Sequence, residues 1–351
     1  MLKYQELANT IRDAIQKGAF APGDKIGTEF ELSEQYHLSR QTVRNAIDVL
    51  EKEKLIYRIQ GSGTYVSDQT IPVPKTKNIS VISTYINDYI FPDIIRGVQQ
   101  HLSAAGYSLT LSATKNHILQ ERTILEGYLK TPVDGLIIEG TKTALPNPNL
   151  GLYRQLKNNG VPILFIHGYY PQLTDIPYVM TDDRAGGELA TQYLIDHGHT
   201  KIAGIFSAED LQGQERFAGY LSSHLKNHLP FDEDRILWFH GHARQYLDRL
   251  NIEYFLNMLH QCTAILCYND IIALSVSDLA AKNGIRIPED LAVISFDNSV
   301  YSDLSPKKLT TLDHPKEKLG ACAVEQLLRL IQGETISPVL LPWVLKEKES
   351  V

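Results

Sequence analysis

The sequence predicts a multidomain protein in which a small α+β unit, residues 1–68, precedes a larger, two-lobed α/β unit, residues 78–351. Two observations support this prediction. Residues 28–66 have the pattern of capped amphipathic helices followed by a glycine-tipped hairpin, whereas from residue 78 apolar strand-like runs alternate with helical stretches. Between these patterns, residues 69–77 are polar and contain two prolines, which favours an extended linker.

The bulk composition is typical of a globular protein with more than one domain. The chain has 351 residues, of which 43% are hydrophobic and 21% charged, and its net charge is −7. It has no run of about 18 apolar residues, and its start lacks the apolar core of a signal peptide, so we expect a cytoplasmic protein without a membrane partner. The 3 cysteines fit a reducing compartment and match no zinc motif, so we expect no metal site and no cofactor.

The first helix is predicted from apolar side chains that recur every three or four positions. These are Leu2, Tyr4, Leu7, Ile11 and Ile15. Gly18 follows as a stop signal, and Pro22-Gly23-Asp24 has the composition of a turn.

The second helix is predicted from its start signal. Thr28 is placed as an N-cap and Glu31 follows three residues later, the spacing of a capping box. Leu32 and Tyr36 then give this helix a buried side. The chain turns at His37-Leu38 and leads directly into a third helix.

The third helix has the composition of a helix that reads DNA. Ser39 is placed to cap it. Its apolar stripe consists of Val43, Ala46, Ile47 and Leu50. Its first turns leave polar residues on the outer face: Arg40, Gln41, Thr42, Arg44 and Asn45. Arginine suits guanine, glutamine and asparagine suit adenine, and threonine can touch the methyl group of thymine. Such contacts are made from the N-terminal part of a recognition helix.

A two-stranded hairpin with a glycine-rich tip follows, with strands predicted at Leu55–Ile59 and Thr64–Val66. Small residues at the tip allow the backbone to approach a phosphate. Any one of these features alone could be a solvated surface, but together they indicate a winged helix-turn-helix. The predicted DNA-binding residues are Thr28, Glu29, Ser39, Arg40, Gln41, Thr42, Arg44, Asn45, Gln60, Gly61, Ser62 and Gly63.

The charge of this unit limits how it can bind. Residues 1–68 contain nine Lys or Arg and ten Asp or Glu, so attraction to DNA depends on where the charges lie rather than on their sum. A basic face is expected from Arg40, Arg44, Lys52, Lys54 and Arg58. Because one nearly neutral unit should bind weakly, we expect it to work in pairs, as a homodimer on double-stranded DNA.

The larger unit is predicted from strand-like apolar runs separated by helices, the pattern of parallel sheets covered on both faces. The predicted strands are Ile79–Thr84, Tyr107–Ser112, Gly135–Ile138, Ile163–Ile166, Lys201–Phe206, Ile236–Phe239, Ala264–Cys267 and Leu291–Ser295. This number of strands suits two α/β lobes.

Ligands of open α/β folds bind beyond the carboxyl ends of the strands. Residues at or after those ends combine carboxylates, amides, Arg, His and aromatic rings, which suit a small polyhydroxylated ligand. The predicted ligand-binding residues are Tyr89, Phe91, Glu139, His167, Tyr169, Asp183, Arg216, Asn269, Asp297 and His314. Asp183 and Asn269 could equally be helix caps.

Residues 2–67 resemble the winged helix-turn-helix of the GntR family of bacterial regulators. The resemblance rests on TEFELSEQY at 28–36, LSRQTVRNA at 38–46 and QGSGTYV at 60–66. It implies that Arg40, Thr42, Arg44 and the wing glycines contact DNA. Gly27 departs from the family, which usually has proline there.

Residues 78–345 resemble the effector domain of the LacI family, which shares the fold of periplasmic sugar-binding proteins. The resemblance rests on QERFAGY at 214–220, CYND at 267–270, VISFDN at 293–298 and LTTLDHP at 309–315. It implies that Arg216 and Asp297 contact a sugar and that His314 occupies a polar ligand position.

The pairing of these two parts resembles a family of sugar-responsive repressors of Gram-positive bacteria. That resemblance implies a repressor released from its operator by L-arabinose, with galactose, xylose or ribose as alternative effectors. A sugar-processing enzyme that uses Glu139, Asp183 and Asp297 as paired carboxylates is a competing class, but no spacing and no phosphate loop supports it. We therefore predict a protein that is not an enzyme. A sugar-binding transport protein is also disfavoured, by the missing signal peptide and by the DNA-binding unit.

Overall fold

The structure is a computed structural model, and the residues that it describes are 3–16, 19–67, 76–241 and 252–351. The chain divides into two compact units, residues 1–75 and residues 76–351. The predicted linker lies outside the described residues apart from its last two positions, and so do Leu2 and Gly18 of the first predicted helix.

The smaller unit places three helices against a small sheet. Its elements are α1 (Lys3–Gln16), β1 (Lys25–Gly27), α2 (Glu29–Gln35), α3 (Arg40–Lys52), β2 (Ile56–Ile59) and β3 (Gly63–Val66). The sheet order is β1-β3-β2 and both pairings are antiparallel. Strand β1 was not predicted, because three residues after the turn at residues 22–24 become a strand only by pairing with β3.

The start signals read from the sequence are confirmed. The Thr28 hydroxyl accepts a hydrogen bond from the Glu31 amide at 3.2 Å, and the Glu31 carboxylate accepts one from the Thr28 amide at 2.7 Å. The Ser39 hydroxyl accepts from the Thr42 amide at 3.2 Å. His37 makes the intervening turn with a φ of 53°. The core below these helices consists of Leu7, Ala8, Ile11, Leu32, Val43, Ala46, Ile47, Leu50 and Ile56.

The first lobe of the larger unit is built on a parallel sheet of order β14-β8-β7-β6-β4-β5. Its strands are β4 (Asn78–Ser83), β5 (Ser108–Ala113), β6 (Gly135–Glu139), β7 (Ile163–Ile166), β8 (Tyr178–Thr181) and β14 (Val339–Leu341). The helices packed on it are α4 (Phe91–Ala104), α5 (Ile118–Lys130), α6 (Leu150–Asn158) and α12 (Lys316–Ile331).

The second lobe repeats this plan with the sheet order β10-β9-β11-β12-β13-β15, in which only β15 among the described strands runs antiparallel to its neighbour. Its strands are β9 (Ile202–Ser207), β10 (Ile236–Phe239), β11 (Ala264–Cys267), β12 (Ala292–Asp297), β13 (Thr310–Asp313) and β15 (Val344–Lys346). Its helices are α7 (Asp183–Asp196), α8 (Leu211–Lys226), α9 (Ile252–His260), α10 (Asp270–Lys282) and α11 (Tyr301–Leu304). Across the described ranges, the structure contains no helix of the length and apolarity that a membrane crossing requires.

The predicted strands of the larger unit are all present, with ends displaced by at most two residues. Strands β8, β13, β14 and β15 were missed, because segments of three or four residues acquire strand structure from their neighbours in the sheet. The chain crosses between the lobes after β8, after β13 and between β14 and β15. These crossings bring the carboxyl ends of strands from both sheets to one cleft.

Candidate functional site

The outer face of α3 is open to solvent as its pattern predicted. Arg40, Gln41, Arg44 and Asn45 are exposed, and Thr42 is half-buried. The guanidinium of Arg40 lies 4.8 Å from the centre of the Phe30 ring. On the next turn, the Gln41 amide donates to Asn45 Oδ1 at 3.0 Å.

Arg44 is held by Glu29, which stands at the start of α2. Arg44 Nη2 donates to Glu29 Oε2 at 2.8 Å, and Nε lies 3.1 Å and 3.2 Å from the two carboxylate oxygens. The hydrogen bond from Arg44 is the largest influence on the Glu29 carboxyl, and the pKa of Glu29 is lowered. The two side chains are 54% and 26% exposed, so both remain reachable from outside.

The expected basic face is largely balanced by neighbouring carboxylates. Arg58 on β2 donates to Asp48 Oδ1 at 2.6 Å and to Glu51 Oε2 at 3.0 Å through Nε. Glu29 Oε1 also lies near this guanidinium, 3.8 Å from Arg58 Nη1. Since both Arg44 and Arg58 already hold acids, this surface is a network of paired charges rather than a free positive patch.

The wing has the backbone that its glycines predicted. Gly61 and Gly63 have φ values of +80° and +135°. A Cβ on Gly63 would also lie 2.7 Å from Lys25 Cε and 3.2 Å from Gly27 O, so a larger residue would push the tip away from β1. Gln60 is exposed at the start of this tip, and the Ser62 hydroxyl bonds to the Tyr65 hydroxyl.

The second candidate site is a cavity between the two lobes of the larger unit. Its volume, counted as the space that the centre of a water molecule can occupy, is ≈ 140 Å³. A single water needs roughly 10–15 Å³ by the same measure. Seven of the ten predicted ligand-binding residues line it: Tyr89, Phe91, Glu139, His167, Arg216, Asn269 and Asp297. Within the described residues, the lining does not include Tyr169, Asp183 or His314.

On the first lobe, Glu139 at the end of β6 is buried under hydrogen bonds. Its Oε2 accepts from the Ser83 hydroxyl at 2.8 Å and from the Thr84 amide and hydroxyl at 2.7 and 2.6 Å. Its Oε1 lies 3.3 Å from His167 Nδ1. Burial opposes ionisation of Glu139, but His167 and Thr84 outweigh it, so the pKa of Glu139 is lowered.

His167 presents a polar atom without a partner. Its Nε2 is buried and makes no hydrogen bond to any described residue. The ring lies edge-on to Phe91, with centroids 6.2 Å apart, and it lines the cavity. A buried nitrogen of this kind carries a desolvation penalty until a ligand hydroxyl meets it.

His314 is placed behind His167, with the ring centroids 5.2 Å apart and in an edge contact. Both of its ring nitrogens are buried without a partner in the described part of the chain. Burial, followed by the charges of His167, Lys316 and Arg216, holds the pKa of His314 well below its usual value. His314 thus contacts His167, which lines the cavity, but does not line the cavity itself. A direct contact between His314 and a ligand remains a prediction.

On the second lobe, Arg216 is fixed from several sides. Arg216 Nε donates to Asp183 Oδ1 at 2.9 Å, and Nη2 lies 3.9 Å from Asp297 Oδ1. Its guanidinium lies 4.8 Å from the ring centre of Tyr268 and 4.2 Å from that of Phe296. Burial would lower the pKa of Arg216, but Asp183 and Asp297 raise it. The site thus holds a permanent, oriented cation.

Asp183 supports Arg216 from outside the cavity. It is the first residue of α7, whose N-cap is Asp182, so the capping alternative for Asp183 is wrong. Asn269, by contrast, does cap α10, accepting from the Ile272 amide at 3.0 Å, and it also lines the cavity. Tyr169 is stacked on Tyr178 with ring centroids 4.3 Å apart, away from the lining.

Asp297 and Tyr89 join the lobes across the cavity. The Tyr89 hydroxyl, from the first lobe, donates to Asp297 Oδ2 at the end of β12 and lies 3.3 Å from the Asp270 amide. Tyr89, His167 and Asp297 have φ values of 61°, 63° and 100°. Such left-handed backbone costs energy in residues with side chains and concentrates at binding sites.

The sequence missed several lining residues, including Lys142, Asp210 and Tyr268. Each follows a strand, so the rule that selected the others applies to them too. Asp210 caps α8, accepts from the Tyr268 hydroxyl at 3.1 Å, and has a pKa raised mainly by burial. These residues look like ordinary caps or core in the sequence, and only the closed cavity shows that they face a ligand position.

Comparisons with known proteins assign a family to each of the two units. Residues 3–66 match the family described as bacterial regulatory proteins, gntR family, and residues 191–351 match the periplasmic binding protein-like domain. The solved structure of the transcriptional regulator CelR with cellobiose aligns with a TM-score of 0.69 at 25% identity, over 89% of this chain and 90% of that chain. The chain is thus a bacterial transcriptional regulator that joins a gntR-type domain to a periplasmic binding protein-like domain.

Two curated relatives narrow this class. The arabinose metabolism transcriptional repressor of Halalkalibacterium halodurans is 39% identical over 95% of this chain and 90% of that protein. The protein of the same name from Geobacillus stearothermophilus is 38% identical over 96% of this chain and 93% of that protein. The chain belongs to the family of the arabinose metabolism transcriptional repressors.

Proposed function

We propose that this protein represses genes of arabinose metabolism by binding operator DNA as a homodimer in the cytoplasm, and that L-arabinose releases it. The observation that carries the proposal is the cavity between the lobes, in which buried polar groups of both lobes face one small space. The names of the two curated relatives support arabinose as the sugar.

The chemistry of the cavity favours a neutral polyol. The lysine and the arginine that line it in the described residues are already paired, Lys142 with Glu209 at 2.8 Å and Arg216 with Asp183 at 2.9 Å. Glu139 and Asp297 add negative charge to the lining. An anionic sugar would therefore meet no unpaired cation there, whereas hydroxyl groups can donate to the carboxylates, accept from Arg216 and pair with the buried Nε2 of His167.

The same pairing disfavours an enzyme. Glu139 accepts hydrogen bonds from Ser83 and Thr84, Asp297 accepts one from the Tyr89 hydroxyl, and Asp183 is bound to Arg216 outside the cavity lining. General acid and base catalysis of sugar hydrolysis requires two carboxyl groups that flank the scissile bond. In this arrangement Glu139 and Asp297 orient a sugar instead.

Repression follows from the exposed face of α3 and the wing. Arg40, Gln41, Arg44 and Asn45 would read base edges in the major groove, while residues 60–63 of the wing approach the backbone. Thr28 and Ser39, whose hydroxyls cap helices, would add backbone contacts. Two copies related by a two-fold axis would read the two halves of a near-palindromic operator.

Release requires that sugar and operator favour different arrangements of the same protein. If L-arabinose stabilises closed lobes and operator binding favours the other state, each ligand weakens the affinity of the other by the same factor. The sugar then acts without touching DNA.

The test uses the full chain. Operator fragments are first selected from a random DNA library by the protein, and their binding is followed by fluorescence anisotropy with L-arabinose, D-galactose, D-xylose or D-ribose. We expect L-arabinose to raise the Kd for the selected DNA, and calorimetry to show its binding directly. An operator affinity that none of the four sugars changes would refute the proposal, and release by another sugar alone would reassign the effector.

A further inference from the structure

Glu209 lies at the rim of the cavity, in the second lobe just after β9, and its carboxylate gathers groups from both lobes. Oε1 accepts from Lys142 Nζ at 2.8 Å. Oε2 accepts from the Gly241 amide at 3.1 Å and from Asn116 Nδ2 at 3.5 Å. Lys142 and Asn116 belong to the first lobe. These three partners line the cavity, but Glu209 itself is not among the lining residues.

The backbone next to Glu209 makes two further contacts across the lobes. Its carbonyl accepts from the Ala144 amide at 3.2 Å. Two residues later, the Leu211 amide donates to the Thr143 hydroxyl at 3.0 Å. Residues 140–149 of the first lobe, here called the rim loop, therefore meet the start of α8 through three consecutive residues.

The rim loop is anchored on its own lobe by Glu121, a fully buried carboxylate of α5. Glu121 accepts from the Thr141 amide at 3.1 Å and from Asn147 Nδ2 at 2.8 Å. Because both ends of the loop are hydrogen-bonded to the same buried carboxylate of Glu121, the loop holds Lys142 in a fixed position opposite Glu209. This preorganisation lowers the entropy lost when Lys142 pairs with Glu209.

We propose that the Lys142–Glu209 ion pair is a latch that stabilises the closed lobes and so sets the affinity for the effector. The pair can form only when the lobes are together, because its members lie on different lobes. A ligand that binds the closed state gains apparent affinity when that state is more populated. Glu209 is thus a positioning residue, and its role rests on the proposed release by sugar.

The first test needs no sugar. Hydrogen exchange of the full chain is compared for the wild type, Glu209→Gln and the control Glu188→Gln. Glu188 serves as the control because its carboxylate also forms an ion pair with a lysine, Lys226 at 2.7 Å, and both of these residues lie in the second lobe. We expect faster exchange in Glu209→Gln at peptides that contain Ala144 and Leu211, and no change in the control. Unchanged exchange in Glu209→Gln would overturn the latch.

The second test measures the pair itself. We expect Glu209→Gln to raise the Kd of L-arabinose roughly 3- to 10-fold, the range of one typical intramolecular hydrogen bond. Lys142→Glu and Glu209→Lys should each weaken binding further, and the double variant should recover most of the loss. A double variant no better than either single one contradicts the latch.

The two proposals fail in different ways. A wild-type protein that gives no calorimetric signal with L-arabinose, although its exchange responds to Glu209→Gln, refutes the effector and retains the latch. A wild type that binds L-arabinose with the same Kd as Glu209→Gln retains the effector and refutes the latch.

Discussion

The two candidate sites each contain an arginine paired with a carboxylate, and the pairs differ in burial. Arg44 and Glu29 are 2.8 Å apart with side chains 54% and 26% exposed, whereas Arg216 and Asp183 are 2.9 Å apart with side chains 2% and 0% exposed. An exposed pair contributes little stability and exchanges readily. A buried pair is costly to break, because the charge left behind has no solvent.

This difference fits the two tasks. The guanidinium of Arg44 can leave Glu29 for a guanine or a phosphate at small cost, so the exposed site adapts to DNA. The guanidinium of Arg216 cannot leave Asp183, so the cavity is organised before the sugar arrives, which limits the entropy lost on binding. The predictions below test the comparison, starting with the largest effect.

Removing the buried arginine should produce the largest change. We expect Arg216→Ala to raise the Kd of L-arabinose at least ~100-fold, and to lower the free energy of unfolding by about 3–5 kcal/mol, because Asp183 is left buried without its partner. Operator binding should persist while L-arabinose no longer releases it. Calorimetry, chemical denaturation and anisotropy measure the three effects.

A matched double variant separates folding from binding. Replacing both partners, in Arg216→Met with Asp183→Leu, should regain much of the stability because neither member of the pair is left buried alone. Sugar binding should stay lost. Recovery of sugar binding in the double variant would show that Arg216 acts only through packing.

Removing the exposed arginine should leave stability unchanged and affect DNA alone. We expect Arg44→Ala to weaken operator binding roughly 10- to 100-fold, the value of one bidentate base contact, with an unaltered Tm and an unaltered Kd for L-arabinose. Arg286→Ala is the control, since Arg286 makes a similar exposed pair with Asp290 at 2.7 Å in the larger unit. Equal losses in the two variants would contradict a specific role for Arg44.

The buried site should also respond to pH in a way that the exposed one does not. Since the pKa of His314 is lowered in the folded protein, the unfolded chain binds more protons below pH 6.5, and stability falls as the pH falls. Between pH 7.5 and 5.5 the protonation of this histidine in the unfolded chain should lower the free energy of unfolding by at most about 1.4 kcal/mol. The measurement is the difference between wild type and His314→Gln in denaturant unfolding at both pH values, which cancels the other titrating groups. If His314→Gln does not reduce the pH dependence of the free energy of unfolding, His314 is not the source of that dependence.

The smallest effect should come from the exposed carboxylate. Glu29→Gln frees Arg44 and removes a negative charge close to the DNA, so we expect binding to random DNA to strengthen about 2- to 5-fold while discrimination for the operator falls. Competition with random DNA over a range of salt concentrations measures both quantities. Improved discrimination would show that Glu29 only restrains Arg44.

The sequence was informative where local chemistry decides structure. The caps at Thr28 and Ser39 are confirmed because a hydroxyl and the amide that it accepts from lie within three residues of each other. The long apolar strands of both lobes were found for a similar reason, since a run of buried residues is visible without knowing its neighbours. The edge strands β14 and β15 were not found, because each exists only through pairing with a distant segment.

The candidate sites divide in the same way. The residues of α3 could be placed on an outer face because helical periodicity alone puts them opposite Val43 and Ile47. The cavity residues depended on the order of two sheets and on three crossings between lobes, so the sequence could not show that Asp183 and His314 contact Arg216 and His167 without lining the cavity. Direct contact of either residue with a ligand remains a prediction. The pairing of Lys142 with Glu209 gave no signal, because 66 intervening residues separate their positions in the chain.

By itself, the sequence determined that the chain joins a helix-turn-helix with a wing to two α/β lobes, and that polar residues follow the strands. Those features depend on contacts within a few residues, which a linear pattern records. Only the tertiary structure decided which polar residues share one cavity, which arginine is buried against its carboxylate, and which contacts cross between lobes. Burial and pairing over long distances in the chain set those properties, because desolvation acts on a side chain through all its neighbours in space.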